Sequence, residues 1–185
     1  MDAILDAAEI CFARMGYAEA TTNHIAALAG ISPGSLYQFF ANKEAIAQAL
    51  AARYNEELQH VYAAAFASET ASLPLVGWLD QVIETLLTFH DIHPAFHTLL
   101  NTPPSTDVAD LTHDLPHELR RQFERGFQQR APSLSTTQLT LSATLSTQLF
   151  RATLPLILTS PADQRVLLVS ELKMALRRYL EPLLG

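Results

Sequence analysis

Residues Thr21–Lys43, TTNHIAALAGISPGSLYQFFANK, carry the clearest structural signal in this chain. It predicts a short helix, a turn at Gly30 and a second short helix that begins after Ser32. Gly30 can adopt the positive φ that such a turn needs, Ser32 is a suitable N-cap, and Pro33 suits the first helical position. A further helix is expected to begin after a cap at Asn42. This order of elements is that of a helix-turn-helix.

Helices are also predicted on both sides of this motif. Apolar residues at helical spacing predict a first helix from Ala3 to Met15, with Glu9 left facing water. Gly16 is expected to end it in the left-handed conformation. Thr22 is the predicted cap of the next helix. After the motif, an apolar stripe continues to about Phe66, longer than a three-helix head can cover.

The remaining sequence predicts more helices and no strand. Segment 67–74, which contains Ser68, is a predicted link, and Thr102 is expected to stop a helix. Pro116 should kink or divide a later helix. The expected body helices are Leu75–His90, Ala95–Asn101, Asp107–Arg130, 135–159 and 161–183.

These patterns predict an all-α fold of about nine helices in three parts. Residues 1–45 form a helix-turn-helix head, residues 46–66 a connector helix, and residues 67–185 a larger helical body. About half of the 185 residues are hydrophobic and only 6 are Gly, which favours a packed globule over disorder.

Composition also excludes several classes of protein. No apolar run is long enough to cross a bilayer and the first residues do not resemble a signal peptide, so we expect a cytoplasmic protein with no membrane partner. The single cysteine, Cys11, excludes an internal disulfide framework. We find no Gly-rich phosphate loop, no nucleophile motif and no telling pair of carboxylates, and therefore expect neither an enzyme nor a cofactor.

Short motifs in the first fifty residues recur at the spacing of a known family. They are Ile4-Leu5-Asp6-Ala7-Ala8, Gly16-Tyr17, Thr21-Thr22, Ala29-Gly30-Ile31-Ser32, Gly34-Ser35-Leu36-Tyr37 and Asn42-Lys43-Glu44. With these residues the chain resembles the TetR family of bacterial transcriptional regulators. The body resembles that family only in length, helical character and paired C-terminal helices. The resemblance implies a dimeric DNA-binding repressor, less often an activator, released by a small ligand held in the body.

The residue types of the motif suit that role. A dimer would set two recognition helices into successive major grooves, so the operator should be palindromic. Small residues let the helix backbone approach base edges, and Gln38 could read an adenine edge. Tyr37 and Lys43 are expected to contact phosphates, while Thr22 and Ser32 either cap helices or also contact DNA. The predicted DNA-binding residues are Thr22, Asn23, Ser32, Gly34, Ser35, Tyr37, Gln38 and Lys43.

The charge of the head is unusual for a DNA-binding module. The chain carries a formal net charge of −7, and residues 1–50 hold two cations, Arg14 and Lys43, against five carboxylates, a net of −3. Position 39 is Phe, where the family often has a Tyr or His that can donate to phosphate. We therefore expect operator binding with a shallow dependence on salt.

The last two helices predict a homodimer. Apolar residues recur on more than one face of each helix between residues 135 and 184, more than a contact within one chain would use. A symmetric dimer through a four-helix bundle accounts for this pattern.

Middle-helix residues are candidates for a small-molecule effector pocket: Trp78, Phe89, His90, His93, Phe96, Phe123 and Phe127. Mostly aromatic residues with a few polar points suit such a pocket, although ordinary core packing is the alternative for each ring. Ligand in the body would shift the connector helix and thereby the separation of the two heads. No metal site is assigned, although the spacing of His113 and His117 would place both imidazoles on one helical face. The competing interpretation is a helical small-molecule or metal-binding protein with weak or lost specific DNA binding.

Overall fold

A computed structural model of the chain describes residues 1–67, 70, 72–101 and 103–184. Three residues named in the predictions lie outside this range: Ser68 of the predicted link, Thr102 at the predicted end of a helix, and Gly185 at the end of the predicted body. The described chain contains helices and no β-strand, which confirms the predicted all-α fold with an N-terminal helix-turn-helix. The helices are α1 (Asp2–Glu19), α2 (Thr22–Leu28), α3 (Pro33–Tyr37), α4 (Lys43–Ala65), α5 (Leu75–Ile92), α6 (Pro94–Asn101), α7 (Thr106–His113), α8 (Leu115–Arg130), α9 (Thr136–Thr159) and α10 (Ala162–Leu184).

The chain divides into two compact units. One contains Met1–Gln59 and Phe89–Asp114, and the other contains His60–Thr88 and Leu115–Gly185. The predicted boundaries at residues 45 and 66 stay predictions, because a unit of packing is not by itself a functional domain. Along the described chain no helix is long and apolar enough to cross a membrane.

The first unit is built around α1. Its apolar face buries Leu5 and Phe12, and α2 and α6 pack against the helix. Gly16 interrupts α1 with φ 75° and ψ 165°. The positive φ agrees with the predicted stop, but the predicted left-handed helical conformation is wrong, because the ψ value is that of an extended residue.

The position of Glu9 contradicts the prediction for α1. The apolar pattern predicts that Glu9 faces water, yet the residue is only 8% exposed. Arg53 and His93 contact its carboxylate, so the charge is paired inside the unit rather than solvated.

In the second unit, α9 packs against α8 and α10. Ser135 and Gln138 form a capping box that starts α9, as the Ser at that position predicted. The predicted helix over residues 107–130 is divided rather than kinked: α7 ends at His113, and α8 begins at Leu115. Pro116 lies in the first turn of α8, where its missing N–H removes no helical hydrogen bond.

Candidate nucleic-acid interface

The first helix of the motif is capped one residue earlier than expected. The Thr21 hydroxyl accepts a hydrogen bond from the backbone N–H of His24 at 3.1 Å, so the predicted cap at Thr22 is wrong. Thr22 is instead the first residue of α2, and its hydroxyl lies 3.0 Å from the Tyr37 hydroxyl. This hydrogen bond joins the start of α2 to the end of α3.

The turn and the start of α3 have the predicted geometry. Gly30 has φ 69°, a value that costs a glycine little. The Ser32 hydroxyl accepts from the N–H of Ser35 at 3.0 Å, the two serine hydroxyls are 2.9 Å apart, and Pro33 occupies the first turn. Ser32 is therefore a helix cap, and its additional contact with DNA stays a prediction.

The side chains of α3 divide into a buried set and an exposed set. Leu36 is fully buried, and Phe40 just after the helix is also buried. Gly34, Tyr37 and Gln38 are exposed, as is Asn23 on α2, while Thr22 and Ser35 are half-buried. The exposed surface is small and polar, a composition that allows close approach to a nucleic-acid groove.

Phe39 adds an aromatic ring that the predicted contact set lacks. It is 56% exposed, and its neighbour Tyr37 is 52% exposed. A Phe ring has no hydrogen-bond donor, so its only interactions with DNA would be apolar ones, with sugars or thymine methyl groups. Its position two residues after Tyr37 in the motif is the available sequence signal.

Lys43 differs from the other predicted contacts because its ammonium lies against backbone. Its Nζ atom donates to the carbonyl oxygens of Tyr17, Ala18 and Ala20 at 2.6, 3.1 and 2.8 Å. This arrangement leaves no local sequence signal, because the acceptors are main-chain atoms of residues more than twenty positions away.

A second group of charges in the first unit was also missed. Arg53 donates to Asp6 at 2.6 Å and to Glu9 at 3.2 Å. The His93 ring lies between two carboxylates, with Nδ1 3.1 Å from Glu9 and Nε2 2.6 Å from Glu57. The available signal was Glu9, a carboxylate between the buried apolar residues of α1.

Four of the predicted pocket residues lie in the first unit: Phe89, His90, His93 and Phe96. They form a packed aromatic cluster with Tyr54, whose ring centroid is 5.4 Å from that of Phe96. All four are buried. Burial, followed by the neighbouring His97 and His93, lowers the pKa of His90 to about 3, so His90 is a neutral core residue at physiological pH.

The other three predicted pocket residues lie in the second unit: Trp78, Phe123 and Phe127. They are fully buried. Trp78 packs edge to face against Phe123 and Phe127, and Phe66 packs edge to face against Trp78 and Phe123, with its ring centroid 5.2 Å from that of Phe123. Gly126 allows Trp78 to lie close to the backbone of α8, since a Cβ atom there would be 2.7 Å from Cζ2 of the indole. A ligand-binding role for either group stays a prediction.

The other potentially reactive groups suggest no further chemistry. Burial raises the pKa of the Cys11 thiol, although Arg14 opposes the shift, so the thiol is not poised as a reactive thiolate. No group of three or more His, Cys, Asp or Glu side chains within the described ranges is placed to hold a metal ion.

The C-terminal helices each carry apolar side chains on a buried and on an exposed side. On α9, Phe150 and Leu154 are buried, whereas Leu141, Leu145, Leu149 and Leu156 are exposed at helical spacing. On α10, Leu172 and Leu176 are buried, whereas Val166 and Leu167 are exposed. We call these exposed apolar side chains of α9 and α10 the leucine face.

Two protein-family models match separate parts of the sequence. Residues 4–50 match the family "Bacterial regulatory proteins, tetR family", and residues 74–180 match "Tetracyclin repressor-like, C-terminal domain". No curated protein matches the sequence.

Several solved structures share the fold. A TetR-family transcriptional regulator from Streptomyces coelicolor is 24% identical, with TM-score 0.65 over 99% of this chain and 98% of that one. A TetR-like regulator from Rhodococcus sp. RHA1 is 20% identical, with TM-score 0.73 and coverages of 97% and 94%. SmeT, described as the repressor of the Stenotrophomonas maltophilia multidrug efflux pump SmeDEF, is 19% identical, with TM-score 0.70 and coverages of 100% and 90%. A complex of SmeT with triclosan is also similar, with TM-score 0.70, 16% identity and coverages of 100% and 91%.

Proposed function

Because the chain belongs to the TetR family of bacterial regulatory proteins, we propose that it is a ligand-responsive repressor that binds a palindromic operator as a homodimer. The observation that carries the proposal is α3 itself. It is capped by Ser32 and anchored by the buried Leu36, and its remaining side chains are small or polar and largely exposed. A helix of this kind can lie in a major groove without losing core contacts. A cytoplasmic location is part of the proposal.

Within this function the exposed residues take different roles. Gly34 and Ser35 allow the backbone of α3 to approach base edges, and Gln38 is long enough to read an adenine. Tyr37, held by Thr22, donates to a phosphate oxygen. Asn23 on α2 and the Ser32 hydroxyl supply further polar contacts that position the motif.

The leucine face on α9 and α10 supports the dimer. Four leucines at helical spacing, exposed in the single chain, are more apolar surface than a solvated helix usually presents. Pairing these two helices with their copies would bury them in a four-helix bundle and bring two recognition helices into one molecule. Replacing Leu145 and Leu149 by Glu should convert a dimer to a monomer in sedimentation experiments, whereas Thr140→Glu, at an exposed position about 140° around the same helix from Leu145, should not.

We assign the effector to the class of small apolar or aromatic molecules, because the candidate pocket residues are mostly aromatic. The solved complex of SmeT with triclosan is a precedent for a ligand in a protein of this fold. Gln59 and His60, consecutive residues of α4, belong to different units, so this helix is the proposed route by which ligand binding alters the heads. About 1–3 kcal/mol of coupling is typical of such switches.

The deciding experiment is a gel-shift assay with DNA from upstream of the chain's own gene, comparing wild type with Gly34→Ala. A Cβ atom at position 34 meets only the Ser32 hydroxyl oxygen at 3.8 Å, so the variant should fold. It should lose affinity by about 1–3 kcal/mol per half-site, because the added methyl group holds the backbone away from the bases. Gly77→Ala is the matched control.

A second function is favoured by one specific observation, the charge of the head. Residues 1–50 carry a net charge of −3, and one of the two cations is occupied by backbone carbonyls. The alternative is a helical small-molecule-binding protein without specific DNA binding. In the same assay it would give no preference for the upstream DNA over random DNA of equal length, and Gly34→Ala would change nothing.

A further inference from the structure

Lys43 occupies a position that is unfavourable for a cation. It is the first residue of α4, and the free N–H groups at a helix N-terminus already carry partial positive charge. Asn42 caps the helix by accepting from the N–H of Ala45 at 2.8 Å, so the side chain of Lys43 is not needed there. A lysine at this point requires a partner elsewhere.

The partner is the turn that ends α1. An ammonium group has three N–H bonds, and three carbonyl oxygens, of Tyr17, Ala18 and Ala20, lie within 3.1 Å of Nζ. The same atom lies 4.2 Å from the centroid of the Tyr17 ring, a cation–π distance. The donors of the ammonium are therefore matched by acceptors inside the protein.

These contacts close a loop that contains the whole helix-turn-helix. Ala20 is almost completely buried and directly precedes Thr21, the cap of α2. Lys43 directly follows Asn42, the cap of α4. The contact between Ala20 and Lys43 thus joins the residue just before the helix-turn-helix to the residue just after it.

We propose that Lys43 is a positioning residue that fixes both ends of the helix-turn-helix, and that it does not bind a DNA phosphate; this inference rests on the proposed DNA-binding function. A phosphate oxygen would have to displace at least one carbonyl from the ammonium. In residues 1–50 the only other Lys or Arg is Arg14, so operator binding neutralises few phosphates with cations of the head.

The test is the dependence of operator affinity on salt for Lys43→Met, with binding to random DNA measured in parallel. Circular dichroism first establishes a temperature at which the variant is folded. The variant should lose specific affinity by about tenfold, comparable to one lost base contact, with a smaller loss on random DNA. Its slope of log K against log salt should equal that of wild type.

A phosphate contact would give a different result. Removing one cation per protomer from phosphates would make the slope shallower by about 1.8 in a dimer. Such a change, or a folded variant with unaltered specific affinity, would overturn the proposal. Arg121→Met is the matched control for net charge, because Arg121 is paired with Glu118 in the second unit, outside the two helices proposed to form the dimer. It should leave the specificity ratio unchanged.

Lys43→Arg keeps the test decisive if Lys43→Met does not fold. Arginine retains the charge, but its planar guanidinium cannot direct three N–H bonds at three carbonyls around one nitrogen. A positioning role predicts a lower ratio of specific to random affinity, whereas retained specificity would overturn it. If the wild-type protein itself shows no preference for the upstream DNA over random DNA, the proposed function is wrong. This result requires no variant, so it is distinct from a failure of the proposal for Lys43.

Discussion

The hydroxyl oxygens of Thr22 and Tyr37 lie 3.0 Å apart and connect the first residue of α2 to the last residue of α3. The hydrogen bond is exposed, so it is a polar restraint on the outer side of the motif. A Tyr37 hydroxyl held in this way is oriented before it meets DNA, which reduces the entropy lost on binding.

We therefore expect Thr22→Val to weaken operator binding although the Tyr37 hydroxyl remains. Tyr37→Phe should weaken it more, since it also removes the proposed phosphate contact. Either variant should lower the free energy of unfolding by only about 0.5 kcal/mol, because the hydrogen bond is exposed to water. Thr22→Ser retains a hydroxyl and should bind like wild type in a titration by fluorescence anisotropy. Equal affinities for Thr22→Val and wild type would contradict the orienting role.

Glu9 and Asp6 provide a matched pair, since both carboxylates accept hydrogen bonds from Arg53. Glu9→Gln should cost about 3 kcal/mol of unfolding free energy, because it leaves Arg53 and His93 facing an amide in a buried site. Asp6→Asn should cost less than about 1 kcal/mol, since the Asp6 side chain is 64% exposed. Urea unfolding monitored by circular dichroism gives both values. Similar losses for the two variants would show that burial does not set the strength of this cluster.

Gly126 and Gly77 form a second matched pair. Alanine at position 126 would place its Cβ atom 2.7 Å from the Trp78 indole, which is fully buried and cannot move aside. The resulting strain of about 1–3 kcal/mol should exceed the gain of about 1 kcal/mol in helix propensity, so the melting temperature should fall. At Gly77 the nearest atom is 3.9 Å away, and Gly77→Ala should raise the melting temperature by differential scanning calorimetry. A rise for both variants would contradict the close packing of Trp78 on α8.

His90 should make stability depend on pH. Its folded pKa is about 3, while an unfolded histidine titrates near 6.5, so the unfolded state binds an additional proton between these values. Above a pH of about 6.5 His90 is neutral in both the folded and the unfolded state, so it does not lower the free energy of unfolding there. Below that pH, the free energy of unfolding should decrease by about 1.4 kcal/mol per pH unit.

The measurement is urea unfolding at pH 7.5, 6 and 5 for wild type and His90→Gln. The variant should show a smaller decrease with acidification, because its side chain cannot take up a proton. Some decrease should remain in the variant, because burial also lowers the pKa of His97. Identical pH dependence in both proteins would exclude His90 as the source.

Local chemistry explains which parts of the motif could be predicted. The Ser-Pro start of α3, the glycine at the turn and Asn42 as a cap each satisfy a backbone requirement within four residues of themselves. The cap of α2 was misplaced because Thr21 and Thr22 are chemically identical, and a one-residue shift changes neither the apolar pattern nor the composition. The leucine face could also be predicted locally, because apolar residues recur at helical spacing on more than one face of each C-terminal helix.

Helix periodicity, caps and the glycine turn depend on neighbours in the chain, so the all-α class, the helix-turn-helix and the family follow from the amino-acid sequence alone. The roles of the charged side chains depend instead on the tertiary fold. Glu9 and Lys43 look solvent-facing in a local pattern, yet one meets His93 and the other meets the carbonyls of the turn that ends α1. The physical reason is that a buried charge must find partners wherever the fold brings them, at separations that no local period records.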